Sequence, residues 1–203
     1  FLQQPFANTA VIGFPAITRC ASPNSMLQVA SVGVARMGGN TMRSVASHPK
    51  VKITALCDVD AKHMGMAVKD FPDAVKLKDW RELLTKHADR FDAVTVGIPD
   101  HMHASVGMTA LRAKKHLYLQ KPMAPTIHEC RLLTQEAAKS GLVTQLGNQG
   151  RSSIEARMTV ELIKTGAIGK IKEVIFWENK KLNWWPKNVQ LRKDADPIPD
   201  GFD

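Results

Sequence analysis

Short apolar runs alternate with helical patterns from residue 28 onward, and this alternation limits the possible folds more than any other feature of the sequence. The runs Gln28–Val34, Val51–Cys57 and Ala93–Ile98 lack the strict polar alternation of a strand with one face in water. They are therefore typical of strands that are buried on both faces. Such strands, separated by helices, favour βαβ units. The predicted fold class is α/β, a doubly wound parallel sheet with helices on both faces.

The remaining elements follow from apolar periodicity and from helix-capping residues. Thr126 and Glu129 have the spacing of a capping box, and Gly141 is suited to end the helix that they begin. The further predicted strands are Ala74–Leu77, His116–Leu119, Leu142–Leu146 and Lys170–Trp177. The predicted helices are Asn40–Ser47, Ala61–Lys69, Trp80–His87, His101–Ala113, one reaching Lys139, and one from Ser152 to about Thr165.

Composition argues against several classes of partner. The formal net charge is +9, but the basic residues are scattered and form no run of five or six. Aromatic side chains that could stack on bases are few between residues 25 and 150, so we expect no nucleic-acid partner. They are Phe71, Trp80, Phe91 and Tyr118. No apolar run reaches the ~20 residues that span a bilayer, so we expect no membrane span.

The turn after the first predicted strand carries the first chemical signal. Residues 33–38 (GVARMG) form a variant of the glycine-rich dinucleotide fingerprint. Gly33 allows the tight turn, the position of Ala35 lets backbone approach a pyrophosphate, and Gly38 lets the helix pack close to the strand. Arg36 and Met37 lie in the same turn, and the N-terminus of the helix that follows presents N–H groups to phosphates. These residues are therefore candidates for cofactor binding.

Asp58 is the second signal, because it follows the second strand and lies twenty residues after Gly38. A carboxylate there hydrogen-bonds the ribose hydroxyls of NAD and repels the 2′-phosphate of NADP. Asp58 could instead cap the next helix, a role that Asp60 could also fill. Together with the glycine turn, Asp58 predicts a Rossmann domain with NAD as the cofactor.

With these motifs in order, residues 28–178 resemble the Gfo/Idh/MocA family of dehydrogenases. Residues 97–104 (GIPDHMHA) are similar to the family's loop after the fourth strand, which lies along the cofactor. The resemblance implies that Pro99 and His103 line the nicotinamide side. Residues 120–122 (QKP) resemble the family's Glu-Lys-Pro motif, and residues 147–151 (GNQGR) resemble a loop that ends the nucleotide domain in an exported bacterial branch.

The Glu-Lys-Pro resemblance implies roles for two residues. Lys121 would lie by the nicotinamide and hydrogen-bond the reacting substrate hydroxyl, which makes it the candidate catalytic residue and a cofactor contact. It could also be one surface lysine among many, but its place at a strand's carboxyl end favours a role in the site. Gln120 is also expected near the cofactor. The sequence departs from the family's motifs at two positions. Gln120 replaces a glutamate, so it can still form hydrogen bonds but lacks the negative charge of the carboxylate. Ala35 replaces the second glycine of the fingerprint.

The implied activity is that of an NAD-dependent oxidoreductase that moves a hydride to or from a small sugar or polyol, with a homo-oligomer expected at full length. The resemblance also implies a later D-x-x-x-H motif that supplies an acid/base histidine, and no such motif occurs after Trp177. We therefore expect residues 26–150 to be the NAD-binding domain and residues 151–203 to be an incomplete α+β substrate domain. The expected fragment binds NAD without full activity. Two alternatives are an NAD-dependent glycosidase on the same fold and a non-catalytic dinucleotide-binding protein.

Two further expectations concern the N-terminus and metals. Residues 1–25 contain an apolar stretch at 9–17 and then a short segment that is similar to a signal cleavage region. An export-signal remnant, which implies the periplasm, is favoured over an N-terminal arm of a cytoplasmic protein. His101 and His103 form a His-x-His pair, but only Asp100 lies near enough in sequence to add a ligand, so no metal site is expected.

Overall fold

Six strands and six α-helices follow one another along residues 26–175, which are the residues that the computed structural model describes. The strands are β1 Leu27–Val32, β2 Val51–Cys57, β3 Val75–Leu77, β4 Ala93–Val96, β5 His116–Gln120 and β6 Thr144–Gly147. The α-helices are α1 Arg36–Ala46, α2 Ala61–Asp70, α3 Trp80–Lys86, α4 His103–Arg112, α5 Ile127–Ser140 and α6 Ile154–Lys164. Short 3₁₀ helices lie at Ala88–Arg90, Asp100–Met102 and Gln149–Ser152.

The strands form one sheet in the order β3-β2-β1-β4-β5-β6. The strand order reverses direction between β1 and β4, so a crevice opens there at the carboxyl ends of the strands. The pairings of β1 with β2 and β4, of β2 with β3 and of β4 with β5 are parallel. Val32 pairs with both Cys57 and Val96, so β1, β2 and β4 end at one level. The doubly wound Rossmann prediction is confirmed.

The sheet is buried on both faces, as the apolar strand runs require. One core cluster packs α1 and α2 against the sheet and includes Val29, Met42 and Ala67. The other packs α3, α4 and α5 and includes Leu83, Leu111 and Leu133. Burial of this apolar surface is the main favourable term for the fold, at roughly 25 cal/mol for each Å² removed from water. The result is a rigid base whose loops can hold a site.

Capping residues lie at the ends of α3 and α5, and those of α5 are the ones that the sequence predicts. The Thr126 hydroxyl accepts from the Glu129 backbone N–H at 3.2 Å, while the Glu129 carboxylate accepts from the Thr126 N–H at 3.3 Å. Gly141 follows α5 in the left-handed region at φ 65°. The Asp79 carboxylate accepts from the Arg81 N–H at 2.8 Å and so caps α3.

Most predicted elements lie within two residues of the observed ends, and two differ by more. Helix α1 begins at Arg36, four residues before the predicted start at Asn40, because the glycine turn leads directly into it. The predicted strand Lys170–Trp177 is wrong over residues 170–175, which are irregular. A strand exists through hydrogen bonds to a neighbouring strand, and within the described part of the chain these six residues have none. The last two residues of that predicted strand, and the expected signal remnant, lie outside the described residues.

The chain divides into two compact units, with the boundary after Leu146. The first contains the Rossmann sheet apart from the last residue of β6, and the described part of the second contains α6. The sequence places the same boundary after residue 150, which is four residues later. The assignment of the second unit to a substrate domain stays a prediction.

Candidate dinucleotide site

The turn after β1 is built around close backbone contacts. Gly33 has φ 82°, a conformation that favours glycine, and a Cβ there would lie 2.3 Å from the Gly97 carbonyl oxygen. A Cβ on Gly38 would lie 2.3 Å from the Gly33 carbonyl oxygen. The start of α1 therefore packs directly on two strand ends. Sequence reasoning assigned roles in the turn to Gly33 and Gly38. It included Gly97 only as the first residue of the GIPDHMHA segment and gave it no role of its own.

The N-terminus of α1 lies at this turn without a side-chain cap. The N-cap residue is Ala35, in extended conformation, and the first turn contains no acidic residue. Arg36 has φ 46°, a left-handed conformation that is uncommon outside glycine and is often found at ligand-binding turns. The helix dipole and this absence of acidic side chains favour an anion such as a pyrophosphate.

Asp58 joins the end of β2 to the glycine turn. Its Oδ2 accepts from the Val34 backbone N–H at 3.0 Å, and its Oδ1 accepts from the Asp60 N–H at 3.0 Å. The cap of α2 is Asp60, whose Oδ1 accepts from the backbone N–H groups of Lys62 and His63. Asp60, and not Asp58, therefore caps α2, which leaves the ribose contact as the role expected of Asp58. The Asp58 side chain is half-buried at the crevice edge.

Two neighbours of Asp58 have displaced pKa values. The backbone N–H of His63 is the main cause that holds the pKa of Asp60 below its usual range. Burial raises the pKa of the Cys57 thiol to about 12, with the negative charges of Asp58 and Asp79 adding to the effect. The thiol also contacts the Lys78 carbonyl oxygen at 3.6 Å. Cys57 is therefore a core residue in neutral form, as its apolar sequence context indicates.

The loop after β4 has an exposed and a buried part. Pro99 is exposed before the 3₁₀ helix Asp100–Met102. His103, the first residue of α4, is only 1% exposed. Its Nδ1 lies 2.5 Å from the Pro122 carbonyl oxygen, and its Nε2 lies 2.9 Å from the Ile98 carbonyl oxygen. Its expected role as a lining residue stays a prediction, but the structure engages both ring nitrogens with backbone.

The two residues at the end of β5 and just after it lie in different environments. Gln120 is 4% exposed, and its Nε2 donates to the Thr41 hydroxyl of α1 at 2.7 Å. Its Oε1 is buried without a hydrogen-bond partner among the described residues. Lys121 is exposed and makes no ion pair within residues 26–175. Lys121 is therefore available to a ligand, whereas Gln120 joins α1 to β5. Nothing in the local sequence pointed to Thr41.

Other kinds of site find no support in the described part of the chain. His101 is exposed while His103 is buried, so the His-x-His pair does not converge. Across residues 26–175, no three His, Cys, Asp or Glu side chains lie together as metal ligands would. None of the helices in this range is long and apolar enough to cross a bilayer.

The sheet order, the glycine turn at its reversal point and the acid at the end of β2 define the class of the protein as a dinucleotide-binding Rossmann domain. Residues 27–148 match the family model described as an oxidoreductase family with an NAD-binding Rossmann fold. The chain belongs to this family, Gfo/Idh/MocA, as its motifs indicate. The expected cofactor, NAD, agrees with the family.

Relatives with assigned names support the same class. The chain is 26% identical over 147 residues to inositol 2-dehydrogenase of Salmonella typhimurium, covering 71% of this chain and 43% of that protein. It is 23% identical over 190 residues to glycosyl hydrolase family 109 protein 1 of Shewanella sp. strain MR-4, covering 88% and 40%. Scyllo-inositol dehydrogenase of Lactobacillus casei, solved with NAD(H) and scyllo-inositol, superposes with TM-score 0.66 at 26% identity, covering 72% and 43%. The chain thus spans about two-fifths of the length of these relatives.

Proposed function

We propose that this chain is the cofactor-binding part of an NAD-dependent oxidoreductase that transfers a hydride to or from a sugar or polyol. One observation carries the proposal: the glycine turn, Asp58 and Lys121 lie at the carboxyl edge of one sheet, on both sides of the point where strand order reverses. Ligands of open α/β sheets bind at this edge. The inositol dehydrogenases among the relatives support a polyol as the substrate class.

The two halves of the cofactor would contact residues on opposite sides of the crevice. The N-terminus of α1, with Ala35, Arg36 and Met37, would hold the pyrophosphate. Asp58, at the end of β2, would accept hydrogen bonds from the adenosine ribose. The nicotinamide half then extends toward the ends of β4 and β5, where Pro99 and Lys121 are exposed.

Lys121 would act on the substrate. Oxidation of an alcohol removes a hydride from carbon and a proton from the hydroxyl, and NAD supplies the hydride acceptor when bound. The Lys121 ammonium would donate a hydrogen bond to the substrate oxygen, which holds the oxygen in place and stabilises its developing negative charge. Transfer of the hydroxyl proton requires a base, and we assign none within residues 26–175. NAD binding by this chain without full turnover is therefore the expected behaviour.

Two further proposals concern the N-terminus and the assembly of the protein. Export rests on the apolar stretch at residues 9–17, outside the described residues, and cell fractionation of the natural protein tests it. The proposal of a homo-oligomer rests on the family resemblance alone. Light scattering tests it on the protein that the complete reading frame of the gene encodes.

A glycosidase that uses bound NAD is the second candidate, because the Shewanella relative named as a glycosyl hydrolase matches over 88% of this chain. The two activities leave different products. A dehydrogenase produces NADH in proportion to oxidised sugar, whereas this kind of glycosidase re-reduces its sugar and hydrolyses an aryl glycoside with no net NADH. Measuring both products for the complete reading frame separates them.

The central test is calorimetric titration of the 203-residue chain with NAD, beside NADH formation across a panel of sugars and polyols. We expect NAD binding by the chain, and NADH formation only by the product of the complete reading frame. Absence of NAD binding by a folded chain would contradict the proposal. Robust NADH formation by the 203-residue chain would contradict the expectation that it lacks full activity. NAD binding with no turnover by either protein would favour a non-catalytic dinucleotide-binding role.

A further inference from the structure

His103 lies between two backbone carbonyl groups from different loops. Its side chain is 1% exposed, with Nδ1 2.5 Å from the Pro122 oxygen and Nε2 2.9 Å from the Ile98 oxygen. Both partners accept hydrogen bonds and neither can donate. A neutral imidazole donates from one nitrogen only, and a doubly protonated ring donates from both. The ring therefore ties at least one of these loops to α4, and both when it carries two protons.

The two carbonyls belong to the strand ends on one side of the crevice. Ile98 lies between Gly97, which follows β4, and the exposed Pro99. Pro122 directly follows Lys121, just after the end of β5. The opposite side of the crevice, at the end of β2, carries Asp58. Since a dinucleotide extends across the reversal point, the His103 contacts lie on its nicotinamide side.

We propose that His103 is a positioning residue that holds the loops after β4 and β5 in register, so that Pro99 and Lys121 face the nicotinamide half of the cofactor. This inference rests on the proposed function. This role replaces the lining role that the family resemblance implies. Because the ring is buried and both of its nitrogens face backbone, His103 would act through the Ile98 and Pro122 carbonyls and not by touching the cofactor.

This role predicts a selective loss of affinity. ADP contains the adenosine and pyrophosphate that the β1 and β2 side would bind, and it lacks the nicotinamide riboside. Loss of the His103 hydrogen bonds should therefore weaken NAD binding and leave ADP binding unchanged. A residue that merely stabilised the whole domain would change the two affinities together.

The experiment compares His103→Phe, His103→Asn and His103→Gln with the unmodified 203-residue chain, by calorimetry with NAD and with ADP. Phenylalanine keeps a ring but removes both donors. Asparagine has a donor near the position of Nδ1, and glutamine has one near the position of Nε2. We expect the Kd for NAD to rise about tenfold in His103→Phe and less in the other two variants, while the Kd for ADP changes less than about twofold.

The outcomes separate this inference from the proposed function. If the unmodified chain binds neither ligand, the proposed function fails. If it binds both, and the variants lose NAD and ADP affinity in parallel or lose neither, the positioning role is overturned while the function stands. Thermal unfolding of each variant shows whether it is folded. If His103→Phe does not fold, the Asn and Gln variants decide the matter by the same NAD-to-ADP comparison.

Discussion

Gly38 of α1 and Gly97 after β4 are in backbone contact, so that a Cβ on Gly97 would lie 2.4 Å from the Gly38 Cα. This contact joins the glycine turn to the strand on the other side of the reversal point. Neither residue can accept a side chain unless the backbone shifts, because the crowding atoms belong to backbone rather than to flexible side chains.

The first prediction follows from that contact. We expect Gly97→Ala to lower the free energy of unfolding by about 1–3 kcal/mol and to weaken NAD binding, because the added methyl separates α1 from β4. The matched control is Gly65→Ala in α2, where a Cβ meets nothing within 4 Å. That change should stabilise the chain by up to about 1 kcal/mol, since alanine favours a helix over glycine. Chemical denaturation measures the free energy of unfolding of each variant, and equal stability of the two variants would contradict the prediction.

The second prediction concerns the choice of cofactor. The unmodified chain should bind NAD more tightly than NADP, by on the order of tenfold or more, because in the proposed binding mode the Asp58 carboxylate would repel the 2′-phosphate. Asp58→Ala should narrow this ratio. The same substitution should also lower the affinity for NAD, because it removes the acceptor of the Val34 N–H. Calorimetric titration with each dinucleotide gives the ratio.

Asp60→Ala is the control for the cofactor prediction. It removes a neighbouring carboxylate and the cap of α2, which should lower the stability of the chain while the ratio of NAD affinity to NADP affinity is unchanged. Equal affinities for NAD and NADP in the unmodified chain would refute the role of Asp58. An identical shift in both variants would show that the effect is only one of local charge.

The third prediction concerns Lys121, in the product of the complete reading frame. Lys121→Ala should lower kcat/KM by about a hundredfold or more with the affinity for NAD nearly unchanged, because the proposed role of the ammonium is to stabilise the reacting oxygen. Lys139→Ala, at an exposed lysine near the end of α5, should change neither quantity. A large loss of NAD affinity with normal turnover would instead make Lys121 a phosphate contact.

The fourth prediction concerns stability in alkali. The Cys57 thiol has an ordinary pKa of 9.0, and in the folded chain its pKa is raised to about 12. The buried neutral thiol therefore contributes stability fully below pH 9, and that contribution is lost as the pH rises toward 12. Cys57→Ala lacks it. The difference in unfolding free energy between the unmodified chain and Cys57→Ala should shrink above pH 9 by up to ~1.4 kcal/mol per pH unit.

Urea denaturation at a series of pH values from 8 to about 10.5 measures this effect. Cys130→Ala, made in parallel, keeps Cys57 and should follow the unmodified chain across the series. A constant difference between the unmodified chain and Cys57→Ala would show that burial does not keep the Cys57 thiol protonated.

Features that depend on neighbours in the chain were predictable from the sequence. Strand Val51–Cys57 has the bounds that its apolar run predicts, and the capping box of Thr126 and Glu129 begins α5. The glycine turn is present as expected because Gly33 adopts a conformation that its own lack of a side chain allows. The placement of Asp58 at the crevice follows once a βαβ unit is recognised, since that unit brings the ends of its parallel strands to one edge.

Contacts between distant segments could be decided only by the tertiary structure. Gln120 bonds to Thr41, a residue 79 positions away, and Gly97 meets Gly38 because β4 is the neighbour of β1 in the sheet. The burial of His103, and the absence of a strand at residues 170–175, likewise depend on which segments pack or pair with those residues. Local patterns specify strands and helices because neighbouring residues set backbone preference and apolar periodicity. Which groups then meet depends on the order in which the strands pair and on how helices pack over them, and no short stretch of sequence contains that order.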